Sequence, residues 1–153
     1  MPLLRFDLVQ GRSPAELQTL LDAAHQAMLE AFEVPPGYRY QIVHEHPPTH
    51  LVVEDTGLGI PRTDKRVVLQ VTTRPRSRKM KEAFYRLLCQ SLQEKCGIPP
   101  TDVVVSMISN TDDDWSFGHG RAQFLTGELQ IPLQVEDKIY PQEVCRIFKY
   151  KIP

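Results

Sequence analysis

The feature that most constrains this chain is a repeat. Gly11-Arg12-Ser13 and Val34-Pro35-Pro36 recur 64 positions later as Pro75-Arg76-Ser77 and Ile98-Pro99-Pro100. Between each pair of markers the apolar residues keep helical spacing. They are Leu17, Leu20, Leu21, Ala24, Met28, Ala31 and Phe32 in the first copy, and Met80, Ala83, Phe84, Leu87, Leu88 and Leu92 in the second. Ser13 suits an N-cap, Pro14 the first helical position, and Glu16 the reciprocal partner of a capping box. Each helix follows a strand pattern, Leu3, Leu4, Phe6, Leu8 in one copy and residues 66–73 in the other. Each precedes another, at residues 40–46 and 102–108. Leu51-Val52-Val53 reads as one further short strand, and residues 55–61 as loop. The expected class is α+β: a duplicated β-α-β unit, about 2–55 and 66–110, with four main strands in one sheet and both helices on one face. The opposite face is then expected to be bare apolar surface, which other subunits would cover.

Composition limits the function classes. A chain of 153 residues holds one domain, or two very small ones sharing a core, and a net charge of −1 leaves no electrostatic footprint for nucleic acid. No apolar run approaches a membrane span, and no secretory segment follows Met1. Cys89, Cys96 and Cys145 are odd in number and lack C-x-x-C spacing. They read as core thiols of a reducing cytoplasm. Residues 130–153 form a mixed tail in which a short strand at 145–150 is the one element read.

Several residues carry chemistry. Pro2 follows the initiator directly, and loss of Met1 would leave a secondary amine at the head of a buried strand. Burial lowers the pKa of such an amine and nearby carboxylates raise it, so it suits a general base, a general acid or an imine-forming nucleophile. A proline in this place is also an ordinary way to begin a strand. Arg74-Pro75-Arg76 ends a strand, where it is either a two-armed fork for a carboxylate or a solvated basic turn continuing through Arg78 and Lys79. His44, Glu45, His46 and His50 match no zinc signature, and Asp112-Asp113-Asp114 lacks the pattern of a calcium loop. Gly57 and Gly59 are at most a fragment of a phosphate loop.

Taken together the chain resembles the tautomerase superfamily, and within it the malonate semialdehyde decarboxylase group, over about residues 2–129. The resemblance rests on Pro2-Leu3-Leu4-Arg5-Phe6-Asp7-Leu8, Leu21-Asp22-Ala23-Ala24-His25, Arg39-Tyr40-Gln41 and Glu54-Asp55-Thr56-Gly57-Leu58-Gly59. It continues through Arg74-Pro75-Arg76-Ser77, Cys96-Gly97-Ile98-Pro99-Pro100, Asp114-Trp115-Ser116-Phe117-Gly118, Gly120-Arg121-Ala122 and Phe124-Leu125-Thr126-Gly127. It implies a homotrimer of tautomerase-like domains at 1–129, with 130–153 as a C-terminal extension. It further implies a small oxo-acid substrate and no metal or organic cofactor. Pro2 matches the family's amino-terminal proline, and Arg74 and Arg76 its carboxylate-binding arginines. Trp115, Phe117, Phe124 and Leu129 match its pocket wall. One departure matters: where the decarboxylases carry an aspartate before Arg-Tyr-Gln, this chain has Tyr38. The missing charge should lower the proline's pKa and favour keto-enol tautomerisation over decarboxylation. The alternative expectation is a non-catalytic trimeric binding member of the family.

Overall fold

A computed structural model describes residues 1–129. They fall into two compact units, Met1–Asp114 and a second that begins at Trp115. The strand read at 145–150 and Cys145 lie outside the described residues.

The first unit is the duplicated β-α-β. Strand β1 is Leu3–Val9, helix α1 Pro14–Phe32 and strand β2 Tyr40–His46. The second copy is β3, Val67–Thr73, α2, Arg78–Cys96, and β4, Val103–Ser109. The repeat persists in the fold, since β3 and α2 sit 64 positions after β1 and α1 with unchanged lengths of seven and 19 residues. The sheet order is β2-β1-β3-β4. The outer pairs are parallel, and the central β1–β3 pair is antiparallel, with Leu3 opposite Thr72. The class is therefore α+β, a four-stranded mixed sheet with two helices.

Local chemistry sets the element ends. Ser13 Oγ accepts from the Glu16 amide, and the Glu16 carboxylate accepts from the Ser13 amide at 2.8 Å, a complete capping box. Ser77 repeats the cap for α2 by accepting from the Met80 amide at 3.2 Å. α2 ends on Gly97 at φ 61°, where its amide bonds back to the Gln93 carbonyl at 3.1 Å; the lack of a Cβ makes that left-handed cap cheap.

The core lies between the helices and one sheet face. Leu4, Phe6 and Leu8 of β1 and Val67, Leu69 and Val71 of β3 point into it, beneath Leu20, Phe32, Phe84 and Leu88. Phe32 and Phe84 join the helices, with ring centroids 5.0 Å apart.

Three expectations need correction. Leu51-Val52-Val53 is not a strand. A single 3-10 turn, Pro48–His50, redirects the chain, and Arg66 takes the backbone acceptors: its Nε donates to the Leu51 carbonyl at 2.8 Å and its Nη2 to the Pro48 carbonyl at 2.9 Å. Second, the sheet face away from the helices is mixed rather than bare apolar surface. Tyr40, Ile42 and Ile108 are exposed, but Arg5, Asp7 and His46 lie among them, with His46 Nε2 2.7 Å from Asp7 Oδ1. Third, Cys89 and Cys96 are half-buried helix residues, of which Cys96 packs against the core while Cys89 stands outside it, and burial raises both thiols' pKa.

Because Phe84 is fully buried and is half of the contact between the helices, Phe84→Ala should lower unfolding stability by about 3–5 kcal/mol. Chemical denaturation with an unchanged m-value measures this; a loss below about 1 kcal/mol would mean the helices do not share that core.

Candidate active site

The sheet brings four chain segments to one end. β1 starts there, and β2 starts beside it, with Leu3 opposite Tyr40. Tyr38 lies two residues before Tyr40, in the segment that leads into β2. β3 runs the other way and finishes there, so Arg74 follows Thr73 past the start of β1. β4 finishes beside β3, and the Asn110 amide extends their ladder by donating to the Thr73 carbonyl at 2.9 Å.

Both residues at the chain's start are buried; Met1 is 6% exposed. The amine here belongs to Met1. Its pKa is lowered from 8.0 to about 6, first by burial, then by the positive charges of Arg76 and Arg74, while Asp112 acts in the opposite direction. A cation is disfavoured where water is excluded and where two guanidinium groups already stand. The neutral amine is therefore the dominant form at pH 7, which is the form that accepts a proton.

The two arginines are ordered by different means. Arg76 Nε donates to Thr73 Oγ1 at 3.2 Å and its Nη1 to the Phe32 carbonyl at 3.3 Å. Its guanidinium carbon stands 5.0 Å from the Phe32 ring centroid, a cation–π contact. Arg74 faces Asp112: Nε is 2.9 Å from Oδ1, a charge contact, and Nη2 donates to Oδ2 at 3.3 Å. The Arg-Pro-Arg segment is thus held by its surroundings and is not a freely solvated basic turn. Asp112 was not singled out from sequence. An acidic turn close behind a strand that ends beside an Arg-Pro-Arg turn was the available signal.

Tyr38 is half-buried in the turn before β2, where its amide donates to the Pro35 carbonyl at 3.0 Å. The turn is stitched to α1 by side chains. Arg39 Nη2 donates to Asp22 Oδ1 at 2.6 Å and its Nε to Gln41 Oε1 at 2.7 Å, Gln41 Nε2 donates to the Leu21 carbonyl at 2.8 Å, and His25 Nε2 lies 3.1 Å from the Pro36 carbonyl. Asp22, His25, Arg39 and Gln41 entered the sequence reading only as parts of matching stretches. Their local work is to fix the segment that carries Tyr38.

Other candidates resolve differently. Gly57 and Gly59 belong to a loop whose amide groups are already filled: Asp55 accepts from the amides of Gly57, Leu58, Gly59 and Ile60 at 2.9–3.1 Å, and its pKa falls accordingly. That leaves no cradle for a phosphate. Among the described residues no group of three His, Cys, Asp or Glu side chains is arranged to hold a metal ion. No helix among them is long and apolar enough to cross a membrane.

The second unit holds the four residues that the resemblance assigns to a pocket wall. Trp115 and Phe117 stack with centroids 5.5 Å apart, and Phe124 meets Phe117 edge-on at 5.4 Å. Gln123 bridges the Phe117 amide and the Gly118 carbonyl at 2.9 and 2.7 Å, and the Leu129 amide returns to the Gln123 carbonyl at 3.1 Å. Three of the four wall residues therefore form one aromatic cluster, with Leu129 tied to its support.

Two family profiles, both described as tautomerase enzyme, match residues 38–118 and 2–60. The "Probable tautomerase YrdN" of Bacillus subtilis (strain 168) is 57% identical over 129 residues, 84% of this chain and 100% of that protein. This chain belongs to the tautomerase family. Within it, the chain is structurally close to malonate semialdehyde decarboxylase. A structure of that protein, studied for decarboxylase and hydratase activities, is 54% identical, with a TM-score of 0.81 over 84% of this chain and 99% of the other. The FG41 malonate semialdehyde decarboxylase inhibited by 3-bromopropiolate is 37% identical at the same TM-score, covering 85% and 99%.

The burial and charge around the amine are directly measurable. In protein that keeps Met1, competitive acetylation of its terminal amine across pH, read by mass spectrometry, should give a midpoint near 6 rather than 8.0. A midpoint at or above 8 would place the amine in water, away from the arginines.

Proposed function

We propose that the chain is a cofactor-independent tautomerase-family enzyme acting on a small oxo acid, with Pro2 as its catalytic amine once Met1 is removed. The observation that carries this reading is the burial of the chain's start beside Arg74 and Arg76, at the end of the sheet where β1 begins. Loss of Met1 would vacate a buried side chain's volume and expose the Pro2 nitrogen to it. Arg74 and Arg76 then take the substrate carboxylate. Tyr38 hydrogen-bonds within the site, and Trp115, Phe117, Phe124 and Leu129 serve as the apolar wall. The catalytic domain is taken as residues 1–129, with 130–153 as an extension.

Keto-enol proton transfer is the favoured chemistry. The neutral nitrogen's lone pair accepts the proton alpha to the carbonyl, the C–H electrons move into the enolate, and the charge forms near two guanidinium groups. Returning the proton to the other position completes the isomerisation with no net redox change. Decarboxylation would instead need a cationic amine, or an iminium, as the sink for electrons left by carbon dioxide. An amine held below its ordinary pKa is poorly stocked with that cation, and Tyr38 adds no negative charge to stabilise it.

Assembly follows the resemblance. The exposed Tyr40, Ile42 and Ile108, interleaved with Arg5, Asp7 and His46, give a sheet face fit for contact between subunits, and a homotrimer is the proposed form. Light scattering should return about three times 17.5 kDa, and a stable monomer would contradict it.

Three measurements test the chemistry. Intact mass should show Met1 absent; its retention would return the chain to the non-catalytic alternative. Arg74→Ala or Arg76→Ala should each raise the barrier by roughly 2–5 kcal/mol, the cost of losing a buried charged hydrogen bond, with circular dichroism unchanged. Wild type should tautomerise an arylpyruvate better than it decarboxylates a 3-oxo acid, and Tyr38→Asp should reverse that order. Efficient wild-type decarboxylation that Tyr38→Asp leaves unaltered would show the weighting toward tautomerisation to be wrong.

A further inference from the structure

The turn after β4 contains three consecutive aspartates with three different fates. Asp114 closes the turn: its Oδ2 accepts from the Thr111 amide at 2.7 Å and from Thr111 Oγ1 at 3.0 Å, which lowers its pKa. Asp113 is exposed. Asp112 faces Arg74 across the guanidinium edge, at 2.9 Å from Nε and 3.3 Å from Nη2. The turn is anchored at its root by the Asn110 amide on the Thr73 carbonyl, so the carboxylate of Asp112 is delivered from a fixed backbone.

Resting on the proposed function, and deepening it, we infer that Asp112 is a positioning residue of this site: it fixes the plane of the Arg74 guanidinium for the substrate's carboxylate and sets negative charge beside the terminal amine. Three features carry this. The carboxylate meets two nitrogens of the guanidinium, a geometry that orients the group as well as attracting it. The Arg74 side chain is 19% exposed and that of Asp112 36%, so the pair is partly withdrawn from water and less screened than a surface ion pair. Finally, Arg74 and Arg76 bracket a single proline beside an amine, and such a cluster of positive groups is self-repelling unless a carboxylate stands within it.

The charged groups whose fields reach the amine are Arg76 and Arg74 from the β3–α2 turn and Asp112 from the turn after β4. Asp112 opposes the two arginines. Without it the amine should lose its proton at still lower pH. Arg74 should also sample more rotamers, at a cost to carboxylate binding.

The test compares Asp112→Asn, Asp112→Glu and, as a control, Asp113→Asn in the full chain. Competitive acetylation of the terminal amine across pH gives its titration without any substrate, and steady-state kinetics with an arylpyruvate separate KM from kcat. In Asp112→Asn the amine should titrate at lower pH than in wild type. KM should rise roughly ten-fold or more, the effect of one charged hydrogen bond, with kcat changing less. Asp112→Glu should restore part of both, and Asp113→Asn should change neither. An amine titration that is unmoved or moved upward in a folded Asp112→Asn protein overturns the inference, as does an unchanged KM. If wild type turns over no oxo acid, the proposed function fails while the acetylation titration still decides the place of Asp112.

Discussion

The antiparallel pairing of β1 with β3 is the contact on which the rest of the molecule depends. It joins the two β-α-β copies through their buried strands, and it fixes which residues meet at the sheet's end. With Leu3 opposite Thr72, the chain's start falls beside the turn that carries Arg74 and Arg76. A slip of one residue would turn Leu4, Phe6 and Leu8 out of the core and move the arginines away from the amine together. The hydrophobic pattern that stabilises the fold therefore also sets the register of the site.

The duplication gives the fold two equivalent ends, and sequence differences make one of them chemical. In the repeat register Pro2 corresponds to Arg66. One is a buried residue at the head of its strand. The other is an arginine that gathers the carbonyls of Pro48, Leu51 and Thr63 and so pins the segment joining the copies. Equivalent positions thus serve chemistry in one copy and chain connection in the other. The same division appears at the helix caps, where Ser13 and Ser77 do the same work while only α1 has the reciprocal glutamate.

Much of this was legible in the sequence because the signals were local. Ser13, Pro14 and Glu16 announce a helix start through adjacent atoms, and Pro35-Pro36 and Pro99-Pro100 limit the backbone where they stand. The repeat then supplied the topology. What stayed hidden depended on distant partners. Leu51-Val52-Val53 looks like a strand until Arg66, 15 positions away, takes the Leu51 carbonyl. The outer sheet face was expected to be apolar from the architecture alone, whereas β1 sets Arg5 and Asp7 on it and β2 sets His46. Asp112 could not be matched to Arg74 across 38 positions without the β3–β4 register. Asp55 shows the reverse case, a glycine-bearing loop that resembles an anion site but is closed by its own carboxylate.

The central claim is that this end of the sheet keeps an amine neutral at physiological pH between two arginines, so that it can serve as a base. The pH dependence of kcat/KM for arylpyruvate tautomerisation by the mature wild-type protein tests it most directly. A neutral base predicts activity that rises with pH through a limb below the ordinary range of a terminal amine and then holds level. Activity that falls as pH rises through that limb would make the protonated amine the working form and would contradict the account.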